Sequence, residues 1–315
     1  MSPLSPKRAQ GAGAIDRRRN PERDDAAMKE LRDKVAIVTG ASRGLGPYVA
    51  RALAAEGMRL VVAARSADQL DGVAARLREN GAEAIAVATD VTDSEALERM
   101  LATANESFGP ADLLVNNAGT VTLCPFGQIG ITDIERVVRL NLVSAMILTR
   151  LVLPGMLERR RGHVVNMSSL AGIFGPPYDA VYGATKAALV GFTESLRDEC
   201  RASGVSASVI CPSFVEEAGI YHEGRKYRVG KASRIVGTTT PDAVARAVLR
   251  AVRHDIPQIN VNSMPIRPMA AVARLSPGLA RWALRKVDAW RPFRQGAEAN
   301  LRMGGKLTGL TESPG

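Results

Sequence analysis

A short β-branched run, KVAIVTG at residues 34–40, enters the glycine-rich segment TGASRGLG at 39–46, and a periodic helix over roughly 45–56 follows. Few folds accept that order. Glycine lets the chain reverse sharply, and the first turn of a helix carries N–H groups that the helix itself cannot satisfy. A strand, a glycine turn and a helix in succession therefore form a cradle for an anion. The alternation recurs along the chain. The strand RLVVAA at 59–64 precedes helix 67–79, strand 83–88 precedes helix 93–107, and DLLVN at 112–116 reads as a fourth strand. A long or broken helical region at 131–159, strand 163–168, helix 179–202, strand 205–211, helix 241–253 and strand 257–262 complete the series.

Strands separated by helical stretches of this length predict a parallel sheet covered on both faces. The expected fold is α/β, a single doubly wound Rossmann-type domain with a mainly parallel seven-stranded sheet. Residues 1–32 read as a disordered basic extension, 33–265 as the dinucleotide-binding and catalytic domain, and 266–315 as an amphipathic basic C-terminal region. The net charge of +10 is concentrated in the two ends: the 233 residues from 33 to 265 carry 25 Lys or Arg against 24 Asp or Glu. A nearly neutral body, in a chain with only 13 aromatic residues, argues against nucleic acid as a partner. The three cysteines have no paired spacing, which favours packing in a reducing compartment. The opening segment lacks the apolar stretch of a secretory signal, and the most apolar run, 140–157, is interrupted by Arg150 and Pro154. The expected localisation is cytoplasmic.

Gly40, Ser42, Arg43, Gly44, Leu45 and Gly46 lie in the turn, spaced G-x-x-x-G-x-G, and are expected to hold a pyrophosphate. An acidic residue at the end of the second strand would accept bonds from ribose hydroxyls and repel a 2′-phosphate; here Ala64 is followed by Arg65. Arg43 and Arg65 can clamp a phosphate through directional charged bonds, which favours NADP(H) over NAD(H). Asp90 and Val91 end the third strand, and Asn117, Ala118 and Gly119 follow the fourth, at the carboxyl edge where such sheets bind ligands.

Tyr182 and Lys186 stand four apart on a helix and share one face. An ammonium beside a phenol favours phenolate and is expected to lower the tyrosine pKa. Ser169, at the end of a strand, is expected on the same ligand face. With TGASRGLG, Asp90, NNAG at 116–119, Asn141, Ser168, Ser169 and YGATK at 182–186 in this order, the chain resembles a short-chain dehydrogenase/reductase over about residues 33–262. The resemblance implies that Tyr182 exchanges the proton with the substrate oxygen. It implies that Ser169 bonds that oxygen, that Lys186 binds the nicotinamide ribose, and that Asn141 helps hold a relay water. Pro212, after the sixth strand, would border the nicotinamide. The family commonly has glycine next and a threonine a few residues later; here Ser213 and Glu217 occupy those places in CPSFVEEAG.

The polar segment from Pro212 to Thr240 reads as a lid with an apolar beginning, Phe214 to Tyr221, and a basic continuation, HEGRKYRVGK. In the tail, Ser276–Pro277 predicts a break between two helices within 266–293, with arginines on one sector and Trp282 and Trp290 on another. That pattern fits packing on the body, a second subunit, or peripheral contact with an anionic membrane. The leading reading is reduction of a ketone on an apolar or lipid-like small molecule. Alternatives are oxidation of a sterol or secondary-metabolite alcohol, reduction of a 3-oxoacyl thioester, and a non-catalytic NADP-binding scaffold. The resemblance implies a homodimer or homotetramer paired through helices 131–159 and 179–202.

Overall fold

A computed structural model describes residues 27–219, 221–222 and 237–303. Seven parallel strands form the central sheet: β1 Val35–Thr39, β2 Arg59–Ala64, β3 Ala84–Ala88, β4 Leu113–Asn116, β5 Gly162–Met167, β6 Val205–Pro212 and β9 Gln258–Val261. Their order is β3-β2-β1-β4-β5-β6-β9, with Ile37 registered against Val61 on one side and Leu114 on the other. The first-to-second and first-to-fourth pairings run in opposite directions across the sheet from β1. That reversal opens a crevice at the strand carboxyl ends, where a doubly wound sheet takes its ligand.

Alternation within β1 shows why both faces are covered. Ala36 and Val38 join one core with Val49, Leu53 and Val248, whereas Val35 and Ile37 join the opposite core with Leu97, Met100 and Met156. Successive side chains of a strand point to opposite faces, so a continuous apolar strand supplies both layers. One layer holds α1 Gly46–Ala55, α2 Ala67–Glu79 and, later in the chain, Pro241–His254. The other holds α3 Ser94–Phe108, α4 Ile131–Val138, α5 Ser144–Glu158 and, against β5 and β6, Ala180–Glu199.

The broken helix expected at 131–159 is one helical run in which a π-turn, Arg139–Val143, joins α4 to α5. By length and composition this is the one run among the described residues apolar enough to cross a membrane. Leu148, Val152 and Met156 are nonetheless packed in the core beneath the sheet, so its apolar character has a folded-state cause. Ordered packing also begins before residue 33. The Met28 N–H donates to the Val252 carbonyl at 3.1 Å, and Leu31 is buried in the core, which corrects the expected boundary of the extension.

After the short helix α6 Ala171–Phe174, the long helix α7 Ala180–Glu199 and strand β6, the segment read as an irregular lid contains a small parallel pair, β7 Phe214–Val215 and β8 Thr238–Thr239. The basic residues expected on its rim, from Glu223 to Lys231, lie outside the described residues. Helix α8 is Pro241–His254. The C-terminal region then forms α9 Arg267–Leu275 and α10 Pro277–Lys286, the two helices expected within 266–293, and a third, α11 Arg291–Arg302, follows. Ser276–Pro277 separates α9 from α10 as anticipated. A second break follows Asp288, held at φ 46°, and Pro292 lies in the first turn of α11.

Candidate active site

The β1–α1 turn is shaped by close approach. Gly40 has φ 62°, and a Cβ there would lie 2.8 Å from the Ala118 Cα. Gly44 has φ 66°. Thr39 ties the turn to the end of β4: its hydroxyl accepts the Asn117 and Ala118 N–H groups at 3.0 and 3.2 Å, while the Asn117 amide donates back to the Thr39 carbonyl at 2.9 Å. No side chain caps the start of α1. At Gly40 and Gly44 the turn therefore brings bare backbone to the edge of the crevice, as a pyrophosphate requires.

The crevice opens into a cavity of about 600 Å³. Gly40, Ser42, Arg43, Gly44, Leu45, Arg65, Asp90, Val91, Asn117, Ala118 and Gly119 line one end, and Ser169, Tyr182, Lys186 and Pro212 line the other. Ser66 and Thr89, which sequence reasoning missed, also border it. One carboxylate oxygen of Asp90 is committed to Thr92, accepting its N–H at 2.9 Å and its hydroxyl at 2.7 Å. Gly46 and Asn141 stand behind the wall. A Cβ on Gly46 would lie 2.3 Å from the Gly40 carbonyl oxygen, so this glycine lets α1 seat against the turn and does not face the cavity.

Tyr182 and Lys186 enter from α7. Gly172 permits α6 to approach closely, since a Cβ there would lie 2.6 Å from the Lys186 carbonyl carbon. The paired serines divide their tasks. Ser168 is buried and donates its hydroxyl to the Lys186 carbonyl at 2.7 Å, anchoring the helix, while Ser169 lines the cavity and hydrogen-bonds Tyr182. Lys186 Nζ lies 5.6 Å from the centre of the Tyr182 ring and donates to the Met167 carbonyl at 2.8 Å. Burial lowers the Lys186 pKa to about 8.

The expected lowering of the Tyr182 pKa is reversed in this structure. Burial pushes the phenol above its ordinary range, the Ser169 hydrogen bond opposes that shift, and the Asp179 carboxylate adds to it. Lys186 is not among the groups that shift the phenol; its ammonium turns toward the Met167 carbonyl. A neutral phenol is the proton-donating form.

Asn141 lies in the π-turn, and its side chain is fully engaged. Its carbonyl oxygen accepts the Thr120 N–H at 2.8 Å; its amide donates to the Thr120 carbonyl at 2.9 Å and to the Thr185 hydroxyl at 3.1 Å. The side chain thus joins the loop after β4 to the helix bearing Tyr182. Asp179, overlooked in the sequence, holds that loop a second time: one carboxylate oxygen accepts the Thr122 N–H and hydroxyl at 3.0 and 2.8 Å. A residue just ahead of a helix is a recognisable cap position, but its bonds run to a segment 57 residues away. Asn300 of α11 grips the same loop, donating to the Leu123 carbonyl at 3.1 Å. Nothing in the local sequence marks it.

Ser213 and Glu217 resolve differently. Ser213 is absent from the residues with positive φ, so replacing glycine costs no strain there. Its hydroxyl is buried beside the cavity without a hydrogen-bond partner among the described residues, whereas Glu217 is exposed and away from the cavity. An unsatisfied buried hydroxyl invites a polar ligand group. Ser213→Ala is expected to weaken nicotinamide-cofactor binding by about fivefold, the equivalent of about 1 kcal/mol for one neutral hydrogen bond. Fluorescence titration measures this, and an unchanged Kd removes Ser213 from the site.

Comparison with known proteins agrees with this geometry. The profile of the family described as short chain dehydrogenase matches residues 34–226. Ketoacyl reductase HetN of Nostoc sp. is 38% identical over 255 residues, covering 79% of this chain and 88% of its own. A 3-oxoacyl-[acyl-carrier-protein] reductase of Synechocystis sp. is 38% identical over 189 residues, covering 60% and 76%. Among solved structures, a metagenomic short-chain oxidoreductase in complex with NADP superposes with a TM-score of 0.64 at 30% identity, over 75% of this chain and 99% of that one. A variant of the actinorhodin polyketide ketoreductase with NADPH gives 0.68 at 32% identity, over 73% and 95%. With its glycine turn, its Ser169–Tyr182–Lys186 cluster and these relatives, the chain belongs to the short-chain dehydrogenase/reductase family.

Proposed function

We propose that this oxidoreductase reduces the ketone of an apolar, lipid-like molecule with NADPH. The observation that carries the substrate class is the apolar part of the cavity lining. The C-terminal helices close the cavity there with Leu284, Val287, Trp290 and Phe293, and Met264 and Ile266 precede them. Phe293 packs 5.5 Å from Phe214, which packs 4.8 Å from Tyr221, so the C-terminal region and the loop after β6 share one aromatic cluster. A site walled in this way favours apolar surface and leaves few groups to hydrate a small polar substrate.

The residues present fit the cofactor: the Gly40 and Gly44 cradle admits a pyrophosphate, and Arg43 and Arg65 border the end where a 2′-phosphate would lie. When bound, the nicotinamide supplies the hydride. The protein supplies the rest. Tyr182 holds the proton that the carbonyl oxygen receives, Ser169 donates to that oxygen as negative charge develops, and Lys186 binds the ribose hydroxyls. Asn141 and Asp179 keep the bordering loop in register, and a relay water near Asn141 would return the proton. Pairing of two copies through α4, α5 and α7, and a cytoplasmic location, belong to the same reading.

The ketoacyl and 3-oxoacyl reductase relatives favour a second substrate, a 3-oxoacyl thioester. NADPH consumption across a panel of small, long-chain and polycyclic ketones and 3-oxoacyl thioesters, with NADH in parallel and products identified, separates the two. Turnover concentrated in large apolar ketones is the expected result. Preference for thioesters would transfer the assignment to the second reading, and preference for small polar ketones would overturn both.

A further inference from the structure

Helix α10 has two differently used faces. Ala283, Leu284 and, just beyond it, Val287 turn inward and line the cavity. On the outer side Leu279 and Trp282 are 54% and 55% exposed, and Leu275, at the end of α9, is 87% exposed. Spacings of three and four residues place Leu279, Trp282 and Lys286 on one side of the helix. Arg281, Arg285 and Lys286, all exposed, flank this apolar centre.

The surroundings are strongly cationic. From Met264 to Met303 the sequence holds eight Lys or Arg against two acids. Arg274 reaches Glu194 at 3.6 Å and Arg294 reaches Asp288 at 3.4 Å, whereas Arg281 and Arg285 have no ion pair among the described residues. Lys286 Nζ lies 6.0 Å from the Trp282 ring.

We propose that this outer face docks on an anionic lipid surface, with Trp282, Leu279 and Leu275 entering the interface and Arg281, Arg285 and Lys286 meeting the headgroups. Charge complementarity selects this occupant. A second copy placed symmetrically on the patch would bring the same cations together around its apolar centre. Nucleic acid would satisfy the cations and leave two leucines against a phosphate backbone. An anionic bilayer accepts both: tryptophan and basic side chains suit its boundary, and the leucines suit its acyl edge. The inner face of the same helix lines the reaction cavity, so docking would hold the mouth of the site beside a lipid reservoir. That last step rests on the lipid-like substrate proposed above; the docking itself does not.

Flotation of the full-length protein with vesicles tests this, using phosphatidylcholine alone and phosphatidylcholine mixed with phosphatidylglycerol. Binding is expected only to the anionic vesicles and to weaken with salt. Arg281→Glu/Arg285→Glu should reduce it about tenfold or more, because each reversal turns attraction into repulsion. Leu279→Ala/Trp282→Ala should reduce it at unchanged charge. Thermal melting and NADPH titration establish that each variant is folded, and neither depends on the ketone being correct. Failure to float with anionic vesicles would overturn the proposal, as would equal binding to neutral ones. Loss of a dimer in either variant by light scattering, without vesicle binding by the parent, would assign the patch to a second copy instead.

Discussion

Tyr182→Phe is expected to lower kcat for ketone reduction by about 10²–10⁴-fold, the range for loss of a positioned general acid, while the Kd for NADPH stays near its parent value. The substitution removes one oxygen from the cavity wall and leaves the ring, so the cost falls on proton transfer more than on packing. Burial raises the pKa of this phenol above its ordinary range, and Ser169 hydrogen-bonds it. Both features suit a donor poised before the carbonyl arrives. Single-turnover measurements with saturating NADPH would read the effect without interference from product release. Unimpaired turnover would remove Tyr182 from the proton path. A lost NADPH affinity would show that the phenol serves binding instead.

The second large effect is expected at the cofactor's phosphate. Arg43→Ala/Arg65→Ala should weaken NADPH binding by about 100-fold and leave NADH binding within a few-fold. Hydrogen bonds to charged partners contribute about 1.5–3 kcal/mol each, and the exposed position of Arg65 places its share at the lower end. The paired titrations carry the information. A loss shared equally by both cofactors would mean that the arginines hold the pyrophosphate or the turn, and that selectivity lies elsewhere. Because a 2′-phosphate is screened by salt, the NADPH advantage should also shrink as ionic strength rises.

Much of the site could be read from residue order because its parts are local. The turn at 39–46 needs glycines where the backbone adopts positive φ or approaches another strand, and those needs appear directly as residue types. Tyr182 and Lys186 share a face because a helix repeats, a relation visible from spacing alone. Gly46 reads as a ligand residue because it belongs to the same motif; only the packed structure shows its space filled by the Gly40 carbonyl. The tyrosine pKa departs from the expectation for a related reason. Spacing brings a lysine near, but the direction of its ammonium and the depth of burial depend on Met167 and the rest of the wall.

Residue order alone specifies the doubly wound sheet, the glycine cradle and the Ser169, Tyr182 and Lys186 side chains at its edge. Apolar periodicity and backbone demands act over a few residues and leave a local imprint. Packing in three dimensions settles that Asp179 and Asn300 both hold the loop at Thr122 and Leu123, and that the C-terminal helices line the cavity. Those contacts join segments as far as 178 residues apart. No short pattern encodes such a meeting: it arises when the sheet and its covering helices have packed, and burial then selects which polar groups must find one another.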